Sequence, residues 1–197
     1  DFFTKKCIIA FMTDTGATVF MKFLRLTSCD NPEYRAAAEL YAQSFPYHEQ
    51  RESRSQADIM NEPEYHFDLI FDGGTFVGEV LSRETDDFIY VEHFCILPSL
   101  RGAGYGTKAL ALLAQKDKTT ILEIDPPTDD IAIRRKGFYE RAGYAENPFF
   151  HVHPPYHKGM EGHELVVMSS PSAISPDMFG KFTDYLKNTV MKGCTDK

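Results

Sequence analysis

The stretch FCILPSLRGAGYGTKALALLAQK, residues 94–116, joins two patterns that belong to different kinds of secondary structure. Its first residues continue an apolar run that begins at Phe88 and ends before Pro98, whereas good helix formers follow from Tyr105 onward. Between the two patterns lie three glycines in five positions, Gly102, Gly104 and Gly106. The stretch therefore predicts a buried strand, a turn of unusual backbone freedom, and a helix.

A glycine turn between a strand and a helix favours an anion site. Its N–H groups point one way, and the first helical turn adds unpaired donors and the positive end of the helix dipole. Arg101 brings a positive charge to the turn, and Lys108 lies one turn into the helix. The alternative is a structural turn with no ligand. The spacing G-x-G-x-G matches neither the dinucleotide motif G-x-G-x-x-G nor the Gly-Lys-Ser/Thr ending of a Walker A loop.

The composition narrows the class of protein. The 197 residues suffice for one domain with an appendage, and a net charge of −8 argues against a nucleic-acid partner. No apolar run reaches the roughly 18 residues of a membrane span, so we expect no membrane partner. No C-x-x-C pair occurs, which indicates free thiols and a cytoplasmic protein. The four cysteines are Cys7, Cys29, Cys95 and Cys194.

The hydrophobic periodicity predicts an α/β fold with a mixed sheet. The predicted strands are 22–27, 65–72, 75–84, 88–97, 119–124, 144–152 and 163–169, and the predicted helices are 30–44, 51–61, 105–116, 130–142 and one from Ser175 onward. We expect a main domain over 21–170, a helical tail over 171–197, and an extension over 1–20. The alternative for that extension is an extra strand packed on the domain.

Two motifs resemble the GNAT acetyltransferase superfamily. The residues R-G-A-G-Y-G, preceded by Pro98 and Ile96, resemble its R/Q-x-x-G-x-G/A signature. The residues F-Y-E-R-A-G-Y, 138–144, resemble the F-Y-E-K-x-G-F end of its fourth helix. The resemblance extends from Met21 to about Ser170. It implies an acyl-CoA N-acyltransferase fold, a central mixed sheet flanked by helices, with acetyl-CoA as co-substrate.

The resemblance also implies where coenzyme A binds. The amides of 102–106 would hold its pyrophosphate, and the strand end would pair with the pantetheine arm. The implied cofactor-binding residues are Ile96, Leu97, Arg101, Gly102, Ala103, Gly104, Tyr105, Gly106 and Thr107.

Acetyl transfer to an amine needs a base, an oxyanion donor and a proton for the departing thiolate. By resemblance, Tyr139 is the proton donor, and a backbone N–H near Leu97 is the oxyanion donor. Glu92, a carboxylate in an apolar strand, is the candidate base. Glu79 is a rival base, a water chain is another alternative, and Tyr139 could be an aromatic core residue. Many relatives carry an asparagine where this chain has Asp129-Asp130, so contacts there are open.

Two loops are candidates for the acceptor site. Tyr47, with His48 and Glu49 beside it, and Tyr156 are the predicted substrate-binding residues. A polar surface is the alternative for both loops. The histidines at 151, 153 and 157 could suggest a metal, but they lack cysteine or carboxylate ligands in clear spacing, so we expect no metal.

The sequence thus predicts an N-acetyltransferase that acts on a small-molecule primary amine. The alternatives are an acyltransferase that uses another acyl-CoA and a CoA-binding sensor without activity. An apolar C-terminal helix could pack on a second subunit, which would make a homodimer.

Overall fold

The computed structural model describes residues 8–12 and 18–194. The strands in this part of the chain are β1 (Ile8–Met12), β2 (Thr18–Leu26), β3 (Tyr65–Asp72), β4 (Thr75–Glu84), β5 (Phe88–Ile96), β6 (Thr119–Ile124), β7 (Ala145–Glu146), β8 (Val152–His153), β9 (His163–Glu164) and β10 (Val166–Ser170). The helices are α1 (Tyr34–Ser44), α2 (Ser53–Ile59), α3 (Tyr105–Ala114), α4 (Asp130–Arg141) and α5 (Pro176–Tyr185).

The chain divides into two units, of which the first holds the described residues up to Ser44 and 60–118. Its strands β1 to β5 form an antiparallel meander in chain order. The hairpin between β3 and β4 turns at Gly73 and Gly74, whose φ angles are 55° and 96°. Glycine adopts such a left-handed backbone readily, which allows a tight turn of two residues. A turn of this length fixes the register of the hairpin. Helix α1 contacts β4 and β5, and α3 contacts β2 and β5.

The second unit holds residues 45–59 and the described residues from Thr119 onward. Strand β10 pairs antiparallel with β6 and with β7, and β8 pairs with β9 as a separate ribbon. Helix α4 contacts β6 and β7. Its first turn is capped by Asp129, whose carboxylate accepts from the Ile131 and Ala132 amides.

The predicted strand 144–152 is wrong. Only 145–146 and 152–153 are extended, because Pro148 has no N–H to give to a ladder. Asn147 is buried, and its side chain donates to Ser169 Oγ at 2.9 Å and accepts from the Ile174 amide at 2.8 Å. The segment is therefore a loop anchored by a side chain.

Helix α5 begins as predicted, with the Ser175 hydroxyl capping the Met178 amide. A turn of π-helix, Leu186–Val190, extends it. Phe182, Leu186 and Val190 are fully buried, and the ring of Phe182 contacts His151 within the second unit. This apolar face is covered by its own chain.

The expected extension 1–20 is described only in part. The backbone of 8–12 forms β1 and pairs with β2, which agrees with the alternative of an extra strand. Residues 1–7, with Cys7, and 13–17 lie outside the described residues. Among the helices described, none is long and apolar enough to cross a membrane.

Candidate active site

The glycine turn follows directly on the carboxyl end of β5. A short 3-10 turn, Pro98–Leu100, leads from the strand into the loop. The Leu97 N–H donates to the Val77 carbonyl at 3.0 Å, and the Leu97 carbonyl accepts from the Leu100 amide at 2.8 Å. Both backbone groups of Leu97 are engaged within the protein. An oxyanion donor at this strand end must therefore be another N–H.

Two glycines of the loop have left-handed backbone. Gly102 has φ 82° and Gly104 has φ 81°, and Gly104 is the residue that precedes the first turn of α3. A Cβ at either position would meet no heavy atom of the protein within 4 Å. Glycine is required here by the backbone conformation and not by crowding, and the space above the loop is open.

The amides at the start of α3 have no partners from the backbone of the described chain. Among the described residues, no carbonyl accepts from the N–H groups of Gly104, Tyr105, Gly106 or Thr107. These groups are the unpaired donors of the α3 N-terminus, where the helix dipole is positive. The loop can therefore bind an anion through its backbone.

Two cationic side chains flank the loop. Arg101 is exposed, and its Nε donates to the Ile96 carbonyl at 3.1 Å. Lys108 Nζ lies 5.5 Å from the centre of the Tyr105 ring. Arg101 is held beside the loop by a bond to the backbone, so its charge is available near the open amides. Pairing of Ile96 and Leu97 with a pantetheine arm stays a prediction.

The two candidate bases lie on neighbouring strands in different surroundings. Glu79 on β4 is fully buried and lies opposite Cys95 on β5. The Cys95 thiol donates to Glu79 Oε1 at 3.6 Å, whereas Oε2 has no hydrogen-bond partner among the described residues. Burial raises the pKa of Glu79 to about 8, against a lowering by the thiol. A protonated Glu79 thus predominates at neutral pH.

Glu92 is half-buried and lies at an irregularity of β5. Leu81 pairs with His93 and Ser82 pairs with Val91, so Glu92 is the extra residue of a β-bulge. Bulges interrupt the regular pairing of a strand and can re-aim the side chain of the extra residue. Glu92 is thus the less buried of the two residues, although its Oε2 atom is enclosed.

Burial also affects the thiol beside Glu79. Burial, together with the neighbouring Glu79 carboxylate, raises the pKa of Cys95 to about 12, against a lowering by Ser44 and Arg101. A thiol with such a pKa remains protonated at neutral pH and is a poor nucleophile.

Tyr139 lies on the inner face of α4 and is 8% exposed. Its ring contacts those of Phe138 and Tyr144 edge to face, at centroid distances of 5.0 and 5.6 Å. Burial raises the pKa of the Tyr144 hydroxyl above its usual range, and the neighbouring Tyr139 raises it further. These contacts are those of an aromatic core residue, which is the alternative role for Tyr139. The residue keeps a small exposed fraction.

The two tyrosines predicted for the acceptor site differ. Tyr47 is 64% exposed, and its ring stacks on His157 at 4.1 Å. His157 Nε2 donates to the Tyr47 carbonyl at 2.8 Å, which holds the turn 47–49 in place. Tyr156 is buried, stacks on His153 at 5.1 Å and lies under the Arg51 guanidinium. Its ring serves packing in the second unit.

The histidines at 151, 153 and 157 do not converge on one point. His151 pairs with Glu123, and His153 Nε2 lies 4.0 Å from the other oxygen of that carboxylate. His157 instead bonds to the Tyr47 carbonyl. The H-x-H-x3-H spacing therefore serves two separate contacts.

Sequence reasoning missed the buried Arg51. Its guanidinium donates to the Ser55 hydroxyl, to Cys194 Sγ and to the Val190 carbonyl, the last at 2.8 Å. No local signal marks it, because Arg51 stands in a polar stretch and two of its partners lie near the other end of the chain.

Known proteins resemble this chain in sequence and in fold. The sequence profile of the Acetyltransferase (GNAT) family matches residues 34–144, more than half of the chain. The chain belongs to the GNAT family. It is therefore an acyltransferase, and the matched residues include the glycine loop.

Three individual proteins are also similar to this chain. A GNAT-family protein from Bacteroides thetaiotaomicron, assigned as an acetyltransferase, has 29% identity and a TM-score of 0.81, and the alignment covers 86% of this chain and 97% of that one. Arabidopsis thaliana Naa50, solved with the bisubstrate analogue CoA-Ac-MVNAL, has 17% identity and a TM-score of 0.55 over 77% of this chain and 97% of that one, which shows a shared fold. YjbC of Bacillus subtilis (strain 168), assigned as an acetyltransferase, is 34% identical over 64 residues, 32% of this chain and 33% of that protein.

Proposed function

We propose that this GNAT protein transfers the acetyl group of acetyl-CoA to a primary amine of a small molecule. One observation carries the proposal: a strand ends in a glycine loop with open space at Gly102 and Gly104, and the amides at the N-terminus of α3 have no backbone acceptors among the described residues. A diphosphate is the part of coenzyme A that such a loop recognises. Arg101 would supply a charge-assisted contact to the same group.

The reaction would proceed by direct attack. The amine nitrogen bonds to the acetyl carbon, the carbon–sulfur bond breaks, and coenzyme A leaves as a thiolate. Transfer through an acetylated Cys95 is disfavoured, because burial keeps its thiol protonated. The thioester and the amine would therefore meet without a covalent enzyme intermediate.

We assign the base to Glu92. An alkylammonium has a pKa near 10.4, so a group on the enzyme must take its proton before attack. Glu92 is less buried than Glu79, and it lies on β5, the strand that leads into the glycine loop. Glu79 has a pKa raised to about 8 by burial, but it is fully enclosed.

We assign the proton for the thiolate to Tyr139. This role comes from the family resemblance of the residues F-Y-E-R-A-G-Y. The 8% exposure of Tyr139 leaves part of its side chain accessible. On the acceptor side, the exposed Tyr47 is the better of the two predicted residues, and the net charge of −8 favours a cationic acceptor.

Calorimetric titration with acetyl-CoA tests the proposal, and Gly104→Glu is the diagnostic variant. The new carboxylate would occupy the open space above the loop and repel a diphosphate, so we expect affinity to fall by about 100-fold or more. Gly74→Glu is the matched control, because Gly74 also has a positive φ, 96°, and no heavy atom within 4 Å of an added Cβ.

The two variants suffer the same backbone strain, and only one lies at the loop. Micromolar binding that Gly104→Glu abolishes and Gly74→Glu retains is the expected result. Equal affinity in Gly104→Glu and the wild type would remove the coenzyme from this loop. An absence of binding in the wild type would overturn the proposed function.

A further inference from the structure

A second cluster of chemically active side chains lies in the second unit, beside Tyr47. His48 and Glu49 belong to the 3-10 turn Tyr47–Glu49, and His163 belongs to β9. One ligand atom of each of these three residues lies within 4.8 Å of those of the other two. Asp125, directly after β6, faces His163. Three segments that are distant in sequence thus bring two imidazoles and two carboxylates together.

The distances within the cluster suit a metal better than they suit hydrogen bonds. His48 Nε2 lies 3.5 Å from Glu49 Oε1, and His163 Nε2 lies 3.5 Å from Asp125 Oδ1. Hydrogen bonds from nitrogen to oxygen are usually about 2.7–3.2 Å long. Two ligands about 2.1 Å from a tetrahedral Zn²⁺ are separated by roughly 3.4 Å, which is close to the spacing within each of these two pairs. The ligand atoms of His48, Glu49 and His163 lie within 4.8 Å of one another, and Asp125 stands beside His163.

We propose that His48, Glu49, Asp125 and His163 form a binding site for a divalent transition-metal ion, with Zn²⁺ as the best match. Two imidazole nitrogens and two carboxylate oxygens are a common ligand set for Zn²⁺. The two carboxylates balance the charge of the ion. The site is distinct from the H-x-H-x3-H spacing, because its partner for His163 is His48 and not the histidines at 151, 153 or 157.

The surroundings orient the ligands. Arg135 pairs with Asp125 Oδ2, which leaves Oδ1 turned to His163. Such outer contacts fix the direction of a ligating carboxylate. His163 pairs in register with His153 across β8 and β9, so its backbone is held by a ladder.

Solvent can reach the cluster. The His48 side chain is 53% exposed and that of His163 is 39% exposed, so an ion has a way in. A bound ion would tie the turn 47–49 to β9 and to the end of β6. The stacking of Tyr47 on His157 would be reinforced by this tie, since Tyr47 belongs to the same turn.

Titration of the full chain with ZnCl₂ by calorimetry, after treatment with a chelator, tests the site. We expect one ion per chain, and at least a tenfold loss of affinity in the double variant His48→Asn/His163→Asn. His66→Asn is the matched control, because His66 has Asp68 and Glu84 within 3.8 Å of its ring nitrogens but no second histidine in its cluster.

Co²⁺ supplies a readout that does not depend on the heat of binding. A tetrahedral Co²⁺ complex absorbs strongly in the visible range, and Asp125→Asn should weaken that absorption while leaving the fold intact. An absence of saturable Zn²⁺ binding in the wild type would overturn the proposal. Unchanged affinity in the double variant, or loss of binding in His66→Asn, would do so as well.

Discussion

The glycine loop of the first unit and the side-chain network of the second unit depend on opposite kinds of interaction. The loop 101–107 is continuous in sequence and works through backbone amides, so it depends on φ angles that only glycine adopts easily. The network depends on side chains far apart: Arg51 bonds to Cys194, and His157 bonds to the Tyr47 carbonyl, across 143 and 110 residues of sequence.

This difference predicts different outcomes of mutation. In the first unit, a change of one side chain should alter turnover or coenzyme affinity. In the second unit, most changes of one side chain should alter the free energy of unfolding, and Tyr139 is the expected exception. The following variants test that division, in order of decreasing effect.

Glu92→Gln should have the largest effect. A general base contributes about 10²- to 10⁴-fold to rate, so kcat should fall by that factor while acetyl-CoA affinity stays unchanged. Steady-state assays of thiol release and calorimetry measure the two quantities. Glu79→Gln serves as the control, since it removes a carboxylate from the neighbouring strand.

A kcat that falls in Glu79→Gln and not in Glu92→Gln would move the base to the buried carboxylate. The pH profile gives an independent check. If Glu79 were the base, its pKa of about 8 would make activity rise as pH passes about 8. We expect no such rise, because we assign the base to Glu92.

Glu79→Gln should instead change how stability depends on pH. Burial raises the pKa of Glu79 from 4.5 to about 8, so between these values the folded protein keeps a proton that the unfolded chain releases. The contribution of the protonated Glu79 to the free energy of unfolding is complete below pH 4.5 and is lost as pH rises through about 8.

We therefore expect the free energy of unfolding of the wild type to fall, relative to the variant, by roughly 1 kcal/mol per pH unit within this window. Urea denaturation at several pH values measures it. Glu39→Gln, at an exposed carboxylate of α1, should follow the wild type. Parallel curves for Glu79→Gln and the wild type would show that Glu79 is ionised in the folded protein.

Arg51→Met should destabilise the second unit. Arg51 is 4% exposed and donates to Ser55, Cys194 and the Val190 carbonyl. Loss of hydrogen bonds from a buried charged donor costs about 2 kcal/mol, which thermal or urea denaturation detects. Arg54→Met in the same segment is the control, because Arg54 is exposed. Equal stability of the two variants would mean that the network does not hold the C-terminal residues.

The same contrast explains what the sequence could predict. The bounds of β3, β4 and β6 agree with the predicted ranges, since apolar alternation and the turn at Gly73 and Gly74 are local signals. The glycine loop is local as well. The false strand 144–152 came from a local pattern that Asn147 overrides through partners more than 20 residues away. Likewise, the meeting of His48 with His163 has no counterpart in sequence spacing.

Tyr139→Phe is the expected exception in the second unit, because it should change turnover and not mainly stability. A thiol has a pKa near 8.5, so a thiolate leaves with modest help and the loss of an acid should cost only about tenfold in kcat. Acetyl-CoA affinity should be unchanged, since the coenzyme contacts we assign are those of the first unit.

Tyr144→Phe is the matched control, because it removes a hydroxyl from a buried tyrosine whose ring lies 5.6 Å from that of Tyr139. If both variants lose kcat and stability alike, Tyr139 is a core residue and the thiolate takes its proton from water. If only Tyr139→Phe loses kcat, and the loss shrinks with acyl donors whose thiols are more acidic, the hydroxyl acts on the leaving group.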